Sequence, residues 1–372
     1  MVQKDNGKQF QSQLGGSLMK KLTASVVGGG MGGRLSIEAL EKSTCFELVS
    51  IADLNEEICK ELKKQYPNVK TFSSHEEMFL NCPTDVVCVS TYPPSHEEVV
   101  MDALNLPLKG ILVEKPLGHT MISGRKIVDE IKKNRIPMVV PHGLMAKQAP
   151  VEIINLVQQG KIGELKLVEI QNTNWDAINA GIHWVNFFVN LVDNEPIDYV
   201  MGIFETSTCT FRDGLQVETT GITYAQTKSG IRLVMNTGDD VFVNREGKDT
   251  LFRIIGTKGQ IEFWGWENAY TLLNAEYPEG KVFVPEEFKT TGHLRHLENL
   301  FDMINSGEFN YRLPESSLMA LEIIEGAYFS SETKCKVTFP IEEFSVPESQ
   351  NWHPGKPYQG NGGRDGRKLV KG

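Results

Sequence analysis

Apolar and polar residues alternate in blocks along the N-terminal third of the chain. Short apolar runs such as residues 22–28, 46–53 and 86–90 are each followed by a longer segment whose apolar positions have helical spacing. Strands that alternate with helices are typical of βαβ units built around a parallel sheet. The pattern therefore predicts an α/β domain with a parallel sheet over residues 19–141.

The pattern changes after Pro141. A helical segment is followed by long runs in which apolar and polar residues alternate, mostly joined by short connections. These runs are predicted as strands at residues 165–174, 196–209, 216–227, 230–238 and 250–265. Such alternation is typical of antiparallel sheets with one covered face. We predict a second, α+β domain with a large, open, mostly antiparallel sheet over residues 142–344.

The two ends of the chain differ from both domains. Residues 1–18 are polar and predict a flexible N-terminal extension. Residues 345–372 contain six glycines and five Lys or Arg, with only two acidic residues. Such a composition disfavours a packed core. We therefore expect a glycine-rich basic tail that adds nothing to the core of its own subunit and is disordered or lies as an arm on another surface.

Composition and charge exclude several classes of function. The 372 residues carry a net charge of −10, which disfavours non-specific binding to nucleic acid. No apolar run approaches the ~18 residues of a membrane span, and the start lacks the apolar core of a signal peptide. The six cysteines show no paired spacing, and no histidine motif indicates a metal. A cytoplasmic protein without membrane or metal is expected.

A glycine-rich turn follows the first predicted strand. Gly28, Gly30 and Gly33 form a G-x-G-x-x-G pattern between a strand and a helix, and Asp53 ends the second strand 20 residues later. In a Rossmann domain these glycines shape the turn, admit a pyrophosphate and let the helix pack closely, while the acid binds the ribose hydroxyls. The pattern predicts NAD as cofactor in preference to NADP, whose 2′-phosphate Asp53 would repel. The alternative is a flexible loop followed by a chance acid.

Two further segments place polar residues where ligands bind. Lys115 lies before Pro116 at the end of a parallel strand, where a lysine can stabilise negative charge on a substrate oxygen. The alternative is a surface lysine. The apolar run 181–192 is interrupted by His183, Asn186 and Asn190, which share one face of a helix. This face predicts a polar stripe turned to a cleft, or else a core histidine satisfied by the neighbouring asparagines.

The chain resembles the Gfo/Idh/MocA (glucose–fructose oxidoreductase / inositol dehydrogenase) family of oxidoreductases over roughly residues 20–344. The resemblance is carried, in order, by the glycine turn and by the segments "STYPPSH", "EKPLG", "QQGKIGEL", "GIHWVNFFVNLV", "IIGTKGQIEF" and "EGAYFSS". It implies a Rossmann domain, a second domain with an open sheet, and hydride transfer between a nicotinamide and a hydroxyl-bearing carbon. It also implies a cis peptide bond between Lys115 and Pro116.

The resemblance further implies the roles of individual residues. His183 becomes the catalytic base, and Lys115 becomes a catalytic residue that also contacts the cofactor. Three departures affect the substrate side: Asn179 and Asn186 stand where the family often has aspartates, and Lys147 stands near an expected arginine. The implied cofactor contacts beyond the glycines and Asp53 are Met31, Thr91, Pro94 and Glu114. The implied substrate contacts are Trp175, Asp176, Asn179 and Lys147.

We accordingly predict an NAD-dependent sugar, glycoside or cyclitol dehydrogenase or reductase that forms a homo-oligomer, either a dimer or a tetramer. Two alternatives stay open. One is cleavage of a glycoside through transient oxidation by held NAD, and the other is a non-catalytic dinucleotide-binding protein. Four side chains outside the main motifs receive weaker predictions. His96 is expected to be structural and Trp266 to pack in a core or interface, whereas His293 and His296 are candidates to approach the substrate.

Overall fold

A six-stranded parallel sheet forms the centre of the N-terminal domain in the computed structural model, which describes residues 20–243, 245–341 and 352–369. Its order is β3-β2-β1-β4-β5-β6, and every neighbouring pair is parallel. The strands are β1 (Leu22–Val27), β2 (Phe46–Ala52), β3 (Lys70–Phe72), β4 (Val86–Val89), β5 (Gly110–Val113) and β6 (Met138–Val139). The predicted parallel α/β architecture is confirmed.

Five helices accompany this sheet: α1 (Met31–Lys42), α2 (Glu56–Gln65), α3 (His75–Asn81), α4 (His96–Ala103) and α5 (Met121–Lys133). Side chains of Asn55, Ser74 and Thr120 accept backbone N–H groups at the starts of α2, α3 and α5, as is common at helix N-caps. Helix α1 has Gly30 at this position and therefore no side-chain cap. Its first N–H groups are left for another acceptor.

The strand order reverses between β1 and β4. In open α/β sheets, ligands bind beyond the carboxyl ends of the strands at such a switch point. The turn after β1, the loop after β4 and the segment after β5 all leave the sheet at this edge. The topology therefore brings the glycine turn and Lys115 to the same crevice.

The second domain is built on a nine-stranded sheet with the order β16-β15-β14-β13-β7-β12-β11-β8-β17. Only the β12–β7 pair is parallel. The strands of this sheet are β7 (Leu165–Thr173), β8 (Ile197–Glu205), β11 (Thr220–Thr227), β12 (Arg232–Gly238), β13 (Thr250–Gly256), β14 (Gly259–Trp264), β15 (Tyr270–Asn274), β16 (Lys281–Phe283) and β17 (Val337–Thr338). The predicted mostly antiparallel sheet is confirmed.

Three predicted strands are wrong in detail. Residues 216–227 form two strands rather than one, because Leu215–Val217 belongs to a small separate sheet and Thr220–Thr227 to the large one. Residues 250–265 form a hairpin rather than one strand, because β13 and β14 fold back on each other around residues 257–258. The strand predicted over residues 196–209 ends at Glu205. The next residues enter the small separate sheet, which has the order β10-β9-β18 and is made of β9 (Thr210–Arg212), β10 (Leu215–Val217) and β18 (Arg364–Asp365). Continuous alternation does not distinguish one long strand from two short ones.

The remaining helices are α6 (Gln148–Gln158), α7 (Ile182–Leu191), α8 (Gly292–Ser306), α9 (Arg312–Thr333) and α10 (Gly366–Leu369). Every residue of α7 is buried, and Phe187 packs on Phe252 and Phe263 of the large sheet. Helix α8 returns to the N-terminal domain, where Leu297 and Leu300 join its hydrophobic core. The boundary predicted at residue 141 does not describe this return.

The prediction for the C-terminal tail is wrong for residues 352–369. These residues, hereafter the C-terminal arm, pack on their own subunit, and β18 pairs in parallel with β9. The Tyr358 ring stacks on Phe211 with centroids 3.9 Å apart, and the Trp352 indole donates a hydrogen bond of 2.8 Å to the Thr210 carbonyl. A few aromatic and arginine anchors thus fix a segment whose average composition suggests disorder.

The predicted N-terminal extension and residues 345–351 of the predicted tail lie outside the described residues. Within the described ranges, no helix is both long enough and apolar enough to cross a membrane.

Candidate active site

The glycine turn has the geometry that a pyrophosphate site requires. Gly28 has φ of +97°, and a Cβ there would lie 2.5 Å from the Ser90 carbonyl oxygen. A Cβ on Gly33 would lie 1.8 Å from the Gly28 carbonyl oxygen, so only glycine lets α1 pack this closely. A Cβ on Gly30 would meet nothing within 4 Å. The space beside the uncapped helix start is therefore open, and the residues fit a bound dinucleotide.

Asp53 lies directly after β2 and fixes the turn from one side. Its Oδ2 accepts a hydrogen bond from Gly29 N at 2.6 Å, and its Oδ1 accepts one from Asn55 N at 2.7 Å. The carboxylate is half-buried and stands at the edge of the crevice. This is the place where an acid meets the ribose of a dinucleotide.

His96 connects the loop after β4 to the segment after β5. Its Nε2 lies 3.0 Å from the Thr91 carbonyl oxygen, and its Nδ1 lies 3.4 Å from that of Leu117. Burial lowers the pKa of His96, so its ring is neutral at pH 7. The structural role predicted for His96 agrees with these contacts. The loop that it holds carries Thr91 and Pro94 beside the glycine turn.

Lys115 points from the end of β5 into the second domain. The Lys115–Pro116 peptide bond is cis, as predicted. The Lys115 Nζ donates a hydrogen bond of 2.9 Å to the backbone carbonyl of Asn179. Burial lowers the pKa of Lys115, while the carboxylates of Glu114 and Asp213 act in the opposite direction. The Lys115 amino group is thus held by a backbone oxygen of the other domain.

A short π-helical turn, Ala177–Gly181, carries the oxygen that binds Lys115. Asp176 caps this turn: its Oδ1 accepts from the backbone N of Asn179 at 2.7 Å and from the Asn179 side-chain amide at 3.0 Å. Its Oδ2 pairs with Arg212 at 3.1 Å, and both side chains are buried. The side chains of Asp176 and Asn179 therefore contact each other, and their predicted substrate contacts stay predictions.

Glu218 supports the same turn from below. It accepts hydrogen bonds from the backbone N of Ala177 and from the Tyr328 hydroxyl, at 2.6 and 2.8 Å. Burial and the nearby Asp176 carboxylate raise the pKa of Glu218 to about 7. Neither Glu218 nor Arg212 belongs to a sequence motif, and no signal in the sequence identifies them.

His183 is the second residue of α7, which follows the π-helical turn directly. Its ring is buried between His142 and Trp266, whose ring centroids lie 5.4 and 5.3 Å away. Burial and the Lys115 charge hold the pKa of His183 well below 6.5. Its Nδ1 is buried without a hydrogen-bond partner. His183 is thus a neutral imidazole at pH 7, and Lys115 is close enough to contribute to this state.

The polar stripe of α7 does not face the crevice along its whole length. Asn186 donates a hydrogen bond of 2.9 Å to Ser316 of α9, and Asn190 donates one of 2.9 Å to the Asn186 carbonyl. Both asparagines are buried. The stripe therefore divides: the two asparagines bond to each other and to α9, and only His183 remains a predicted site residue.

Two histidines of α8 reach this region. His293 pairs with Glu114, and His296 lies 3.1 Å from the His142 carbonyl oxygen. Although burial raises the pKa of Glu114, the His293 charge holds it below its ordinary value. Glu114 lies next to Gly32 of the glycine turn, so its pairing places His293 beside the predicted cofactor site. The approach of His293 and His296 to the substrate stays a prediction.

The other predicted residues have more peripheral contacts. The Trp175 ring lies under the Arg212 guanidinium, 4.3 Å from the ring centroid. Lys147 lies 3.9 Å from Glu287. Trp266 lies against His183 and is 39% exposed, and the alternating "FWGWE" segment is the only sequence signal for it. Among the residues that the structure describes, no group of His, Cys, Asp or Glu is arranged to hold a metal ion.

Residues 22–142 match the Gfo/Idh/MocA family, described as "Oxidoreductase family, NAD-binding Rossmann fold". The uncharacterized oxidoreductase YfiI of Bacillus subtilis is 28% identical over 170 residues, which are 42% of this chain and only 43% of that protein. Inositol 2-dehydrogenase of Acidiphilium cryptum is 26% identical over 253 residues, 64% of this chain and 72% of that protein. The predicted resemblance and the predicted cofactor, NAD, are confirmed.

The fold of both domains has solved counterparts. An aldose-aldose oxidoreductase from Caulobacter crescentus, complexed with glycerol, superposes with a TM-score of 0.73 at 19% identity. The superposition covers 86% of this chain and all of that one. At this identity the likeness concerns the fold alone.

Proposed function

We propose, from the premise that this chain is an NAD-binding oxidoreductase of the Gfo/Idh/MocA family, that it transfers a hydride between the nicotinamide and a hydroxyl-bearing carbon of a sugar, glycoside or cyclitol. One observation carries the proposal. The glycine turn and Lys115 both follow strands of the parallel sheet at its carboxyl edge, and the charge of Lys115 helps to keep the buried His183 imidazole neutral. A hydride acceptor, a cation and a proton acceptor are what oxidation of an alcohol needs.

The glycine turn and Asp53 would hold the dinucleotide, together with the Thr91–Pro94 loop and Glu114. The cofactor supplies the hydride chemistry. The chain's own contribution is the placement of the reacting carbinol. Because Lys115 is tethered to the Asn179 carbonyl, its ammonium is fixed at the junction of the two domains. There it can bind the substrate hydroxyl and stabilise the negative charge that develops on its oxygen.

His183 is the proposed general base. Because Nδ1 of His183 is buried, we assign Nε2 as the nitrogen that accepts the proton of the substrate hydroxyl. A base must be unprotonated before the reaction, and the depressed pKa of His183 ensures this at pH 7. The same burial makes the protonated imidazolium of His183 unfavourable, so His183 must release the accepted proton before the next turnover. In the reverse direction His183 would return the proton to the oxygen.

The roles of His183 and Lys115 can be tested with His183→Ala and Lys115→Ala. We expect each to lower kcat by about 10²–10⁴, with little change in NAD affinity. Because both act on one oxygen, the double variant should lose less than the sum of the two effects. Lys126→Ala, at the surface of the first domain, is the matched control for Lys115→Ala. His75→Ala, which removes a largely buried imidazole that pairs with Asp102 away from the site, is the control for His183→Ala. Normal turnover in His183→Ala would remove the histidine as base.

The assay also separates the proposed reaction from its alternatives. A panel of sugars, glycosides and cyclitols is followed by absorbance of reduced nicotinamide and, in parallel, by release of the glycosidic group. Net formation of NADH supports the proposal. Release of the group without net NADH would instead indicate cleavage through transient oxidation. NAD binding without either reaction would indicate a non-catalytic protein.

We further propose that the protein is a homo-oligomer. The face of the large sheet opposite α9 exposes apolar side chains on neighbouring strands, with Ile203 at 73% and Met201 at 48% exposure, next to Ile222 at 44%. An open apolar sheet face of this kind marks an interaction surface, and a second copy of the same face is its natural partner. Light scattering on Ile203→Lys tests this: the wild type should be a dimer or tetramer and the variant a smaller species. A monomeric wild type would contradict it.

A further inference from the structure

The C-terminal arm lies across the crevice from the glycine turn. Beyond the stacked Tyr358, Arg364 anchors the arm through the Thr210 hydroxyl at 2.9 Å and Asp239 at 2.7 Å. Arg212 donates to the Gly366 carbonyl at 3.0 Å. These contacts connect the end of the arm directly to the residues that support the π-helical turn of the site.

Arg367 is the residue of the arm that reaches the first domain. Its Nε donates to Asp213 Oδ1 at 2.8 Å, and its Nη2 donates to Asp213 Oδ2. Its guanidinium lies 5.5 Å from the Trp175 ring centroid. Its Nη1 lies 3.7 Å from the sulfur of Met31. Asp213 therefore fixes the guanidinium in one orientation, and the remaining nitrogen points to the start of α1.

The partner of Nη1 is poorly matched to it. A thioether sulfur is a weak acceptor, whereas a guanidinium N–H binds best to an anionic oxygen. Met31 is the first residue of α1 and is 65% exposed. Met31 follows Gly30, where an added Cβ would meet no atom within 4 Å. The first N–H groups of α1 have no side-chain cap. An anion bound at this helix start would lie within reach of Nη1.

We infer that Arg367 binds the pyrophosphate of the dinucleotide, so that the C-terminal arm of the second domain completes the cofactor site of the first. The inference rests on the proposed function in so far as that function requires NAD to bind at the glycine turn. The neighbouring hairpin supports it, because Gly214 packs on Tyr92 of the loop after β4 and brings Asp213 to the same side of the crevice.

The experiment measures binding, without turnover. NAD, ADP-ribose and adenosine are titrated by calorimetry into the cofactor-free wild type, Arg367→Ala and Arg367→Lys. Lys368→Ala, a neighbouring cation of the arm that is exposed and pairs only with Asp365 among the described contacts, is the control. A hydrogen bond between a guanidinium and a phosphate is charge-assisted and stronger than one between neutral groups. We therefore expect Arg367→Ala to weaken NAD and ADP-ribose about 10- to 100-fold, with Arg367→Lys between.

Adenosine makes the result specific, because it lacks the pyrophosphate. If Arg367→Ala merely loosened the arm, adenosine and ADP-ribose would lose affinity equally, and an unchanged ratio of their affinities overturns the inference. An unchanged affinity for NAD overturns it as well. Failure of the wild type to bind NAD would instead refute the proposed function, so the two failures are distinguishable.

Discussion

Gly30 and Gly33 belong to the same turn, yet alanine substitutions should have different effects at the two positions. Gly33→Ala should lower the stability of the fold, whereas Gly30→Ala should weaken the binding of NAD. At Gly33 the added Cβ would lie 1.8 Å from the Gly28 carbonyl oxygen and 2.7 Å from its carbon, both backbone atoms. The turn and α1 must separate by about 1.6 Å to restore the 3.4 Å of an ordinary contact. Neither partner is a flexible side chain, so the strain cannot relax by a rotamer change.

Insertion of extra carbon into a packed site costs about 1–3 kcal/mol, occasionally more. We expect Gly33→Ala to lower the free energy of unfolding by about 3 kcal/mol, the upper end of this range. Each kcal/mol lost should lower the melting temperature by roughly 2–4 °C. Gly30→Ala meets nothing within 4 Å, and loses at most about 1 kcal/mol through the poorer N-cap residue. Its methyl group instead occupies the space that admits the pyrophosphate.

The assay combines thermal unfolding without cofactor and calorimetric titration of NAD. Gly33→Ala should show a lowered melting temperature. Gly30→Ala should melt close to the wild type but bind NAD at least about tenfold more weakly, a loss of about 1.4 kcal/mol. Gly30→Ala serves as the stability control for Gly33→Ala, because the added Cβ at Gly30 meets no atom within 4 Å. Gly160 also has open space around it, but its φ of +71° would strain an alanine, so Gly160→Ala is not a suitable control. Wild-type melting of Gly33→Ala, or wild-type NAD affinity of Gly30→Ala, would refute the reasoning.

Three further predictions concern charged groups. Asp53→Asn should lower the preference for NAD over NADP, measured as the ratio of their dissociation constants, by about tenfold; an unchanged ratio would contradict the role of Asp53. Asn179→Asp should lower turnover, because it replaces the amide that donates to Asp176 by a second carboxylate; wild-type or higher turnover would indicate that asparagine merely replaces the family's aspartate. Burial raises the pKa of Glu325 from 4.5 to about 7, so the folded state keeps a proton that the unfolded chain releases, and the contribution of Glu325 to stability should fall as pH rises from 4.5 to 7. The buried histidines act in the opposite direction but are common to both proteins, so the free energy of urea unfolding of the wild type minus that of Glu325→Gln should fall across this window; a constant difference would contradict the assignment.

Local sequence was sufficient for the features that a few neighbouring residues control. The βαβ alternation, the glycine turn and the position of Lys115 at a strand end follow from hydrophobic period and backbone sterics within about a dozen residues. Gly33 shows why: the contact that excludes a side chain there is made by the Gly28 carbonyl of the turn itself. The parallel sheet and its switch point then follow from right-handed crossovers.

Tertiary structure alone decided the features that join distant segments. Arg212 binds Asp176, His142 packs on His183, and Arg367 reaches Met31 across most of the length of the chain. No period or spacing records such a pair, because the contact depends on how whole domains pack. The same reason explains the C-terminal arm. Its glycine-rich, basic composition indicates disorder on average, but stacking of Tyr358 on Phe211 and the Arg364 and Arg367 ion pairs depend on a surface formed by residues about 150 positions earlier.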